Sequence, residues 1–207
     1  MEQMTAKKET VRADLRAAKM LRVLTVPPIM ALFLTTTLYI AMGSEVFAAP
    51  VRYIEAVFTL TLLPLIPYAL CGTVPALRRR GRKLERSLGI VFSLLGYVMG
   101  TLFAILGHGT KTEIILYLTY ILSGVLMGLM TFIFRFKASG HTCGAAGPFA
   151  MLGFQLSPWW LIGYLVLIPV FISSLRLKRH SVSQLFAGAM ISVGSLAIAV
   201  RIVGAFM

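Results

Sequence analysis

Seven apolar segments alternate with short polar loops along this chain of 207 residues. The first four cover approximately residues 23–42, 53–71, 87–106 and 113–134, and the last three cover 142–156, 161–175 and 182–203. About 20 apolar residues in a helix cross the ~30 Å hydrocarbon core of a bilayer. The fifth segment is short for an untilted crossing, so we expect its end to open into a cavity lined by protein. The pattern predicts an all-α, polytopic transmembrane helix bundle with about six to seven membrane helices.

The composition agrees with a lipid environment. Hydrophobic residues make up 58% of the chain and charged residues 13%, whereas a soluble domain has about 25% charged residues. These values exclude a soluble enzyme and a disordered chain. The first segment is too long for the apolar region of a signal peptide, so we interpret it as an uncleaved membrane helix. We expect one membrane domain over 1–207, made of a basic N-terminal segment (1–20), two accessory helices (21–74) and a core (75–203).

The basic residues are concentrated in the loops. Twenty Lys and Arg stand against seven Asp and Glu, which gives a net charge of +13. In a soluble protein this excess would suggest a nucleic-acid partner, which we do not expect here. If all seven segments cross the membrane, seventeen of the cations lie on one side and only Arg52, Lys111 and Arg201 on the other. The positive-inside rule then places the basic face in the cytoplasm and the C-terminus outside.

Three polar clusters share this basic face, and each comes just before an apolar helix. The first runs from Arg79 to Arg86, the second covers residues 137–141, and the third covers residues 176–180 with Gln184 one turn later. Several Lys and Arg side chains together can bind a phosphate and neutralise the charge that develops on its oxygens. A basic loop that only sets the membrane topology is the alternative interpretation of each cluster.

Two histidines in these clusters suit phosphoryl transfer. One imidazole can attack phosphorus and a second can protonate the leaving oxygen, as for His180 and His141. Ser139 and Gly140 open a helix, so their backbone N–H groups can contribute to phosphate binding at the positive end of the helix dipole. His180 and Gln184 are four residues apart on one helical face. The Gln184 carbonyl can therefore accept a hydrogen bond from one ring N–H and orient the other nitrogen towards a substrate.

The clusters resemble the three signatures of the type-2 phosphatidic acid phosphatase superfamily, membrane lipid phosphatases related to vanadium haloperoxidases. The family pattern is K-x6-R-P, then P-S-G-H, then S-R-x5-H-x3-D. The matching stretches are Arg79-x6-Arg86-Ser87, Ala138-Ser139-Gly140-His141 and Ser173-Ser174-x5-His180-x3-Gln184. The resemblance covers roughly residues 75–203, which makes this region a phosphatase-like core.

The resemblance implies a hydrolase that acts on a lipid or polyprenyl mono- or diphosphate, such as undecaprenyl diphosphate, and that uses no metal or cofactor. His180 would be the nucleophile that forms a phosphohistidine, and His141 the general acid. Gln184 would orient His180. By the same resemblance Arg79, Arg86, Ser139 and Gly140 would hold the phosphate, and the basic clusters add Lys137, Arg176 and Lys178 as further phosphate-binding candidates.

This chain departs from the family pattern at two positions that matter for activity. Gln184 replaces an Asp whose carboxylate would stabilise the imidazolium form of His180. Ser174 stands where the third signature has Arg, and we expect Arg176 or Lys178 to take over its role. Two alternatives therefore stay open, a lipid phosphotransferase on the same scaffold and a non-enzymatic transporter or scaffold for anionic lipid. No sequence feature indicates an oligomeric state.

The remaining polar residues have simpler interpretations. Glu55 and Glu113 lie near helix ends on the sparsely charged side, where snorkelling or interface placement explains both. His108 is expected to be an ordinary interfacial residue. Cys71 and Cys143 have no spacing that predicts a disulfide framework or a metal site.

Overall fold

The computed structural model describes residue 20 and residues 23–206, with the side chains of Arg82, Lys83 and Arg86 left out. The predicted basic segment 1–20 therefore lies almost entirely outside the described residues. Across the described part of the chain the secondary structure is helical, and it contains no β-strand. The prediction of an all-α fold is confirmed.

The α-helices follow the apolar segments closely. In chain order they are α1 (Pro27–Met42), α2 (Pro50–Val57), α3 (Leu63–Thr73), α4 (Pro75–Arg79), α5 (Gly81–Leu106), α6 (Lys111–Phe132), α7 (Gly140–Gln155), α8 (Leu167–Arg176) and α9 (Val182–Phe206). A π-helical turn, Phe58–Leu62, joins α2 to α3, and a 3₁₀ helix, Pro158–Val166, leads into α8. A short 3₁₀ turn, Gly43–Glu45, follows α1.

Six helical stretches in the described chain are long and apolar enough to cross a membrane. They are Pro27–Glu45, Pro50–Thr73, Ser87–Leu106, Lys111–Phe132, Pro158–Arg176 and Val182–Phe206. This confirms the prediction of a polytopic bundle with about six to seven membrane helices. The predicted fifth segment corresponds to α7, which has 16 residues and is not one of the six.

Helix α7 is short because other helices surround it. It packs against α1 and α9 along its length and against the Pro158–Val166 helix and α8. Half of its residues are buried, many of them small, and Ala145, Ala146 and Leu152 are fully inaccessible. Since α7 meets protein rather than lipid on most sides, it need not match the hydrocarbon thickness.

Neighbouring contacts show which helix ends lie together. Ser139 at the start of α7 is hydrogen-bonded to Gln184 at the start of α9, and further along a Cβ on Gly147 would touch the side chain of Ser192. These two helices are therefore parallel. Helices α5 and α6 form an antiparallel hairpin, in which the rings of Tyr97 and Tyr120 lie 5.2 Å apart. The loops before α5, α7 and α9, which hold the three polar clusters, consequently share one face of the bundle.

The two N-terminal helices belong to the same core as the rest. The buried hydrophobic cluster joins Leu34 and Leu38 of α1 to Leu116 of α6, Met151 of α7 and Ala199 of α9. Phe33 of α1 also packs on Phe149 of α7, with ring centroids 5.8 Å apart. Helix α1 therefore supports α7 directly.

The two acidic residues on the sparsely charged side differ in environment. Glu55 is 31% exposed and accepts a hydrogen bond from Arg52 Nη1 at 3.1 Å. Glu113 is fully buried, at 0% exposure. The prediction that Glu113 snorkels is wrong, because protein encloses its side chain, whereas its placement near the membrane interface stays a prediction. Thr110 fixes the start of α6: its Oγ1 donates to the Val46 carbonyl and accepts from the Glu113 N–H.

Candidate active site

Ser139 is the N-cap of α7, as the sequence predicted for the residue that opens this helix. Its Oγ accepts hydrogen bonds from the Thr142 N–H at 3.3 Å and from the Thr142 hydroxyl at 3.0 Å. The side chain is fully buried. These contacts satisfy part of the helix N-terminus, so the Ser139 side chain has a capping role.

The backbone of Ser139 connects α7 to α9. Its N–H donates to the Gln184 carbonyl oxygen at 2.9 Å, so the expectation that the Ser139 N–H helps to bind phosphate is wrong. Gly188, one turn along α9, makes this approach possible, because a Cβ at that position would overlap the Ser139 carbonyl oxygen. Gly140 is exposed and begins α7. Its N–H belongs to the first turn, which has no intrahelical acceptor.

The Gln184 side chain contacts both the start of its own helix, at Ser181, and His180, the predicted nucleophile. Its Oε1 accepts from the Ser181 N–H at 3.1 Å and lies 3.2 Å from His180 Nδ1. The Gln184 N–H in turn points to Ser181 Oγ at 3.4 Å. This reciprocal pair is a capping box, which the pattern Ser-x-x-Gln at 181–184 could have predicted but which our sequence interpretation missed.

The capping box determines the tautomer of His180. Because the Ser181 N–H needs an acceptor, the Gln184 atom that faces it is the carbonyl oxygen rather than the amide nitrogen. That oxygen can only accept, so His180 Nδ1 carries a proton in this contact, and the neutral ring then has its lone pair on Nε2. The predicted contact between His180 and Gln184 is present, and it gives His180 the tautomer that a nucleophile at Nε2 requires.

Backbone hydrogen bonds define the conformation of the turn before His180, which carries Arg176 and Lys178. Arg176 is the last residue of α8, and Lys178 follows with φ of +49°. The Arg179 N–H bonds to the Ser174 carbonyl and the Lys178 N–H to the Leu175 carbonyl, which is the Schellman arrangement that usually has Gly at this position. A lysine here costs about 1 kcal/mol or more relative to an unstrained residue. The side chains of Arg176 and Lys178 are both exposed on the basic face.

The second cluster adds a cation and a histidine at the same end. Lys137 is exposed in the non-helical stretch just before the cap of α7, and His141 is half-buried in the first turn. Since α7 and α9 start together, the clusters around Ser139 and His180 meet across the Ser139–Gln184 hydrogen bond. His108, the third histidine of the chain, is exposed in the loop between α5 and α6 at the opposite end.

The first cluster lies on different helices. Arg79 is exposed at the end of α4, and Arg86 lies in α5 with its side chain outside the described part. Helix α5 packs mainly on α3 and α6. Within the described part of the chain, neither α4 nor α5 packs extensively on α7 or α9. The packing therefore joins the second and third clusters directly, whereas Arg79 lies on a helix without extensive packing on α7 or α9. A cavity of about 260 Å³ lies beside this cluster, and Arg78 and Glu85 are among the residues that line it.

The arrangement combines three features useful for phosphoryl transfer. It has a helix N-terminus at Gly140, two histidines in adjacent helix starts, and the exposed cations Lys137, Arg176 and Lys178 in the loops that precede these helices. An anion approaching this face would meet positive charge and the positive end of the α7 dipole. The described His, Cys, Asp and Glu side chains contain no group of three that could hold a metal ion.

Comparison of the chain with protein-family models, with curated proteins and with solved structures found no match.

We predict that Gly188→Ala disrupts the junction between α7 and α9. The added Cβ would overlap the backbone oxygen of Ser139, which cannot move without separating the two helix starts. Overpacking of this kind lowers the free energy of unfolding by about 1–3 kcal/mol. The measurement is the free energy of unfolding of the purified protein in mixed micelles with increasing denaturing detergent.

Gly194→Ala is the matched control, because Gly194 lies on the same helix and a Cβ there meets no atom within 4 Å. Replacing a helical glycine by alanine where space allows should leave stability unchanged or raise it by about 0.5–1 kcal/mol. Equal effects of the two substitutions would contradict the close approach of Ser139 to Gly188.

Proposed function

We propose that the chain is an integral-membrane lipid phosphatase that hydrolyses a lipid or polyprenyl mono- or diphosphate through a phosphohistidine on His180. The supporting observation is the junction of α7 and α9. There the Ser139–Gln184 hydrogen bond joins the two helix starts on the basic face, and Gln184 holds His180 in the tautomer with the lone pair on Nε2. The sequence resemblance to type-2 phosphatidic acid phosphatases supports the same chemistry independently of this geometry.

In the first step the lipid phosphate binds with its oxygens towards the cations and the Gly140 N–H. Nε2 of His180 attacks phosphorus, forming a P–N bond as the P–O bond to the lipid breaks. His141 donates a proton to the leaving oxygen, which departs as a lipid alcohol or, from a diphosphate, as a lipid monophosphate. Gln184 Oε1 accepts a hydrogen bond from His180 Nδ1–H throughout, so the positive charge on the phosphorylated ring faces a carbonyl dipole.

In the second step water attacks the phosphohistidine. His141, now neutral, takes a proton from the water, the P–N bond breaks, and inorganic phosphate leaves with both histidines restored. A carboxylate in place of Gln184 would stabilise the charged ring more strongly. We therefore expect slower formation of the intermediate than in a site with Asp at this position.

The substrate tail belongs in the bilayer beside the bundle. The basic face lies at the ends of the apolar helices, where a headgroup of an anionic lipid is found, and Lys and Arg at this depth attract it. We propose that Lys137, Arg176 and Lys178 bind the phosphate and that Arg79 and Arg86 contact lipid at the edge of the same face. The basic face is in the cytoplasm of a bacterial inner membrane in this proposal.

We predict that His180→Ala abolishes phosphate release from lipid phosphates, with a loss of about 10³-fold or more, because the nucleophile is removed. His141→Ala should lower kcat by about 10²–10⁴-fold through loss of the general acid. Release of inorganic phosphate from phosphatidic acid and from undecaprenyl diphosphate in mixed micelles measures both effects.

His108→Ala is the matched control, since this histidine is exposed at the opposite end of the bundle. It should retain the full activity of the parent chain. If the parent chain releases no phosphate from either lipid, or if His180→Ala and His141→Ala retain its activity, the phosphatase proposal is wrong.

The orientation can be tested by labelling single cysteines with a membrane-impermeant thiol reagent. Cys71 and Cys143 are first replaced by Ala, and Lys178→Cys and Lys111→Cys are then introduced at exposed positions on opposite ends. We predict that intact bacterial cells label Cys at 111, whereas Cys at 178 reacts only after permeabilisation. Labelling of Cys at 178 in intact cells would place the basic face outside.

A further inference from the structure

The cavity of about 260 Å³ beside the first basic cluster lies where α3, α4 and α5 meet. Tyr68 and Cys71 line it from α3, and Arg78 and Glu85 line it from α4 and α5. Pockets that enclose drug-sized ligands have volumes of ~300–1,000 Å³. This cavity therefore suits a small polar group, such as the headgroup of a lipid, rather than a whole lipid molecule.

The position of this cavity along the chain places it at the depth of lipid headgroups. One candidate span ends at Thr73 and the next begins at Ser87, so Arg78 and Glu85 lie in the connection between two crossings. The polar groups of phospholipids are found at the ends of membrane helices. Close to Cys71 in the chain, the apolar side chains of Leu70 and Val74 are exposed. A lipid can therefore place its headgroup in the cavity and its acyl chains along the adjacent apolar surface.

Arg78 and Glu85 bring opposite charges to the same cavity. The helix breaks at Gly81, whose φ of +71° is a conformation that glycine adopts without strain. Arg78 and Glu85 line the cavity from the two sides of this break. Arg78 is exposed and Glu85 is half-buried, and among the described side chains these two form no ion pair with each other. Both charges are therefore available to a ligand in the cavity.

Glu85 differs from the other charged residues of the basic face in the sign of its charge. The other acids in the described part of the chain, Glu45, Glu55 and Glu113, lie towards the opposite end of the bundle. Phosphates at the membrane surface repel a carboxylate, so a carboxylate at this depth favours a ligand that carries a positive group. A primary ammonium supplies that charge together with three N–H donors.

We propose that this cavity binds the headgroup of a lipid that carries both a phosphate and a primary amine, a phosphoethanolamine headgroup. The guanidinium of Arg78 binds the phosphate, and the carboxylate of Glu85 accepts hydrogen bonds from the ammonium. A choline headgroup has the same charges but no N–H donor, and a glycerol headgroup has no positive charge. Within the described chain α3, α4 and α5 do not pack extensively on α7 or α9, so this site is separate from the proposed active site.

The test is native mass spectrometry of the full chain, released from micelles that contain equal amounts of phosphatidylethanolamine and phosphatidylcholine with identical acyl chains. We expect the retained phosphatidylethanolamine to exceed phosphatidylcholine by about threefold or more, because hydrogen bonds between charged groups are the stronger ones. Equal retention of the two lipids would overturn the proposal. Phosphatidylglycerol in place of phosphatidylcholine should also be retained less than phosphatidylethanolamine, and its preferential retention would show a site for anionic lipid instead.

Two substitutions assign the two halves of the headgroup. Glu85→Gln should make the retention of phosphatidylethanolamine and phosphatidylcholine about equal, because the amide carries no charge to pair with the ammonium. Arg78→Gln should lower the retention of both lipids, since they share the phosphate. The matched controls are Glu45→Gln, an exposed acid at the opposite end, and Arg80→Gln, an exposed cation of the same turn that is not among the lining residues. Both controls should behave as the parent chain, and unchanged lipid retention in Glu85→Gln or Arg78→Gln would overturn the proposal.

Water-soluble glycerophosphoethanolamine distinguishes a lipid from a free headgroup as the ligand. Added in an amount equal to the lipid, it should leave phosphatidylethanolamine bound, because the acyl chains add contact with the apolar surface that the soluble compound lacks. Displacement of the lipid under these conditions would assign the cavity to a soluble ligand and overturn the proposal of a lipid site.

Discussion

The site depends on one backbone hydrogen bond, from the Ser139 N–H at the start of α7 to the Gln184 carbonyl at the start of α9. Gly188 makes this distance possible, because any side chain there would push the two helix starts apart. The bond places one helix cap beside another, and the second cap, formed by Ser181 and Gln184, is also the contact that orients His180. Local helix capping and the geometry of the candidate active site are thus the same set of interactions.

The lipid environment explains the architecture around this junction. Helices that face lipid must be long and apolar, which is the case for the six candidate spans. Helix α7 is enclosed by its neighbours and can therefore be short and rich in small residues, which lets α1 and α9 approach it closely. Because α7 is held on several sides, its N-terminus has a defined position. Such a position is what a polar site at the membrane surface requires.

Much of the fold could be predicted from the hydrophobic periodicity of the sequence, whereas the candidate site could be predicted only in part. The start of α9 at Val182 and the cap at Ser139 were predictable, since apolar runs and Ser–Gly patterns have local causes. The contact of His180 with Gln184 was predictable from their spacing of four residues. The engagement of the Ser139 N–H was not predictable, because it depends on which helix packs beside α7. For the same reason the sequence did not show that Glu113 is buried or that Arg79 and Arg86 lie on separately packed helices, since sequence spacing carries no information on tertiary partners.

The central claim is that His180 carries the phosphoryl group, and isolation of the intermediate tests it most directly. The chain is mixed with a ³²P-labelled lipid phosphate, quenched at alkaline pH within a turnover, and digested for mass spectrometry. The account predicts a phosphate that is stable to alkali, labile to acid and located on the peptide containing His180. Phosphate bound to another residue, or turnover without any covalent phosphate, would contradict the account.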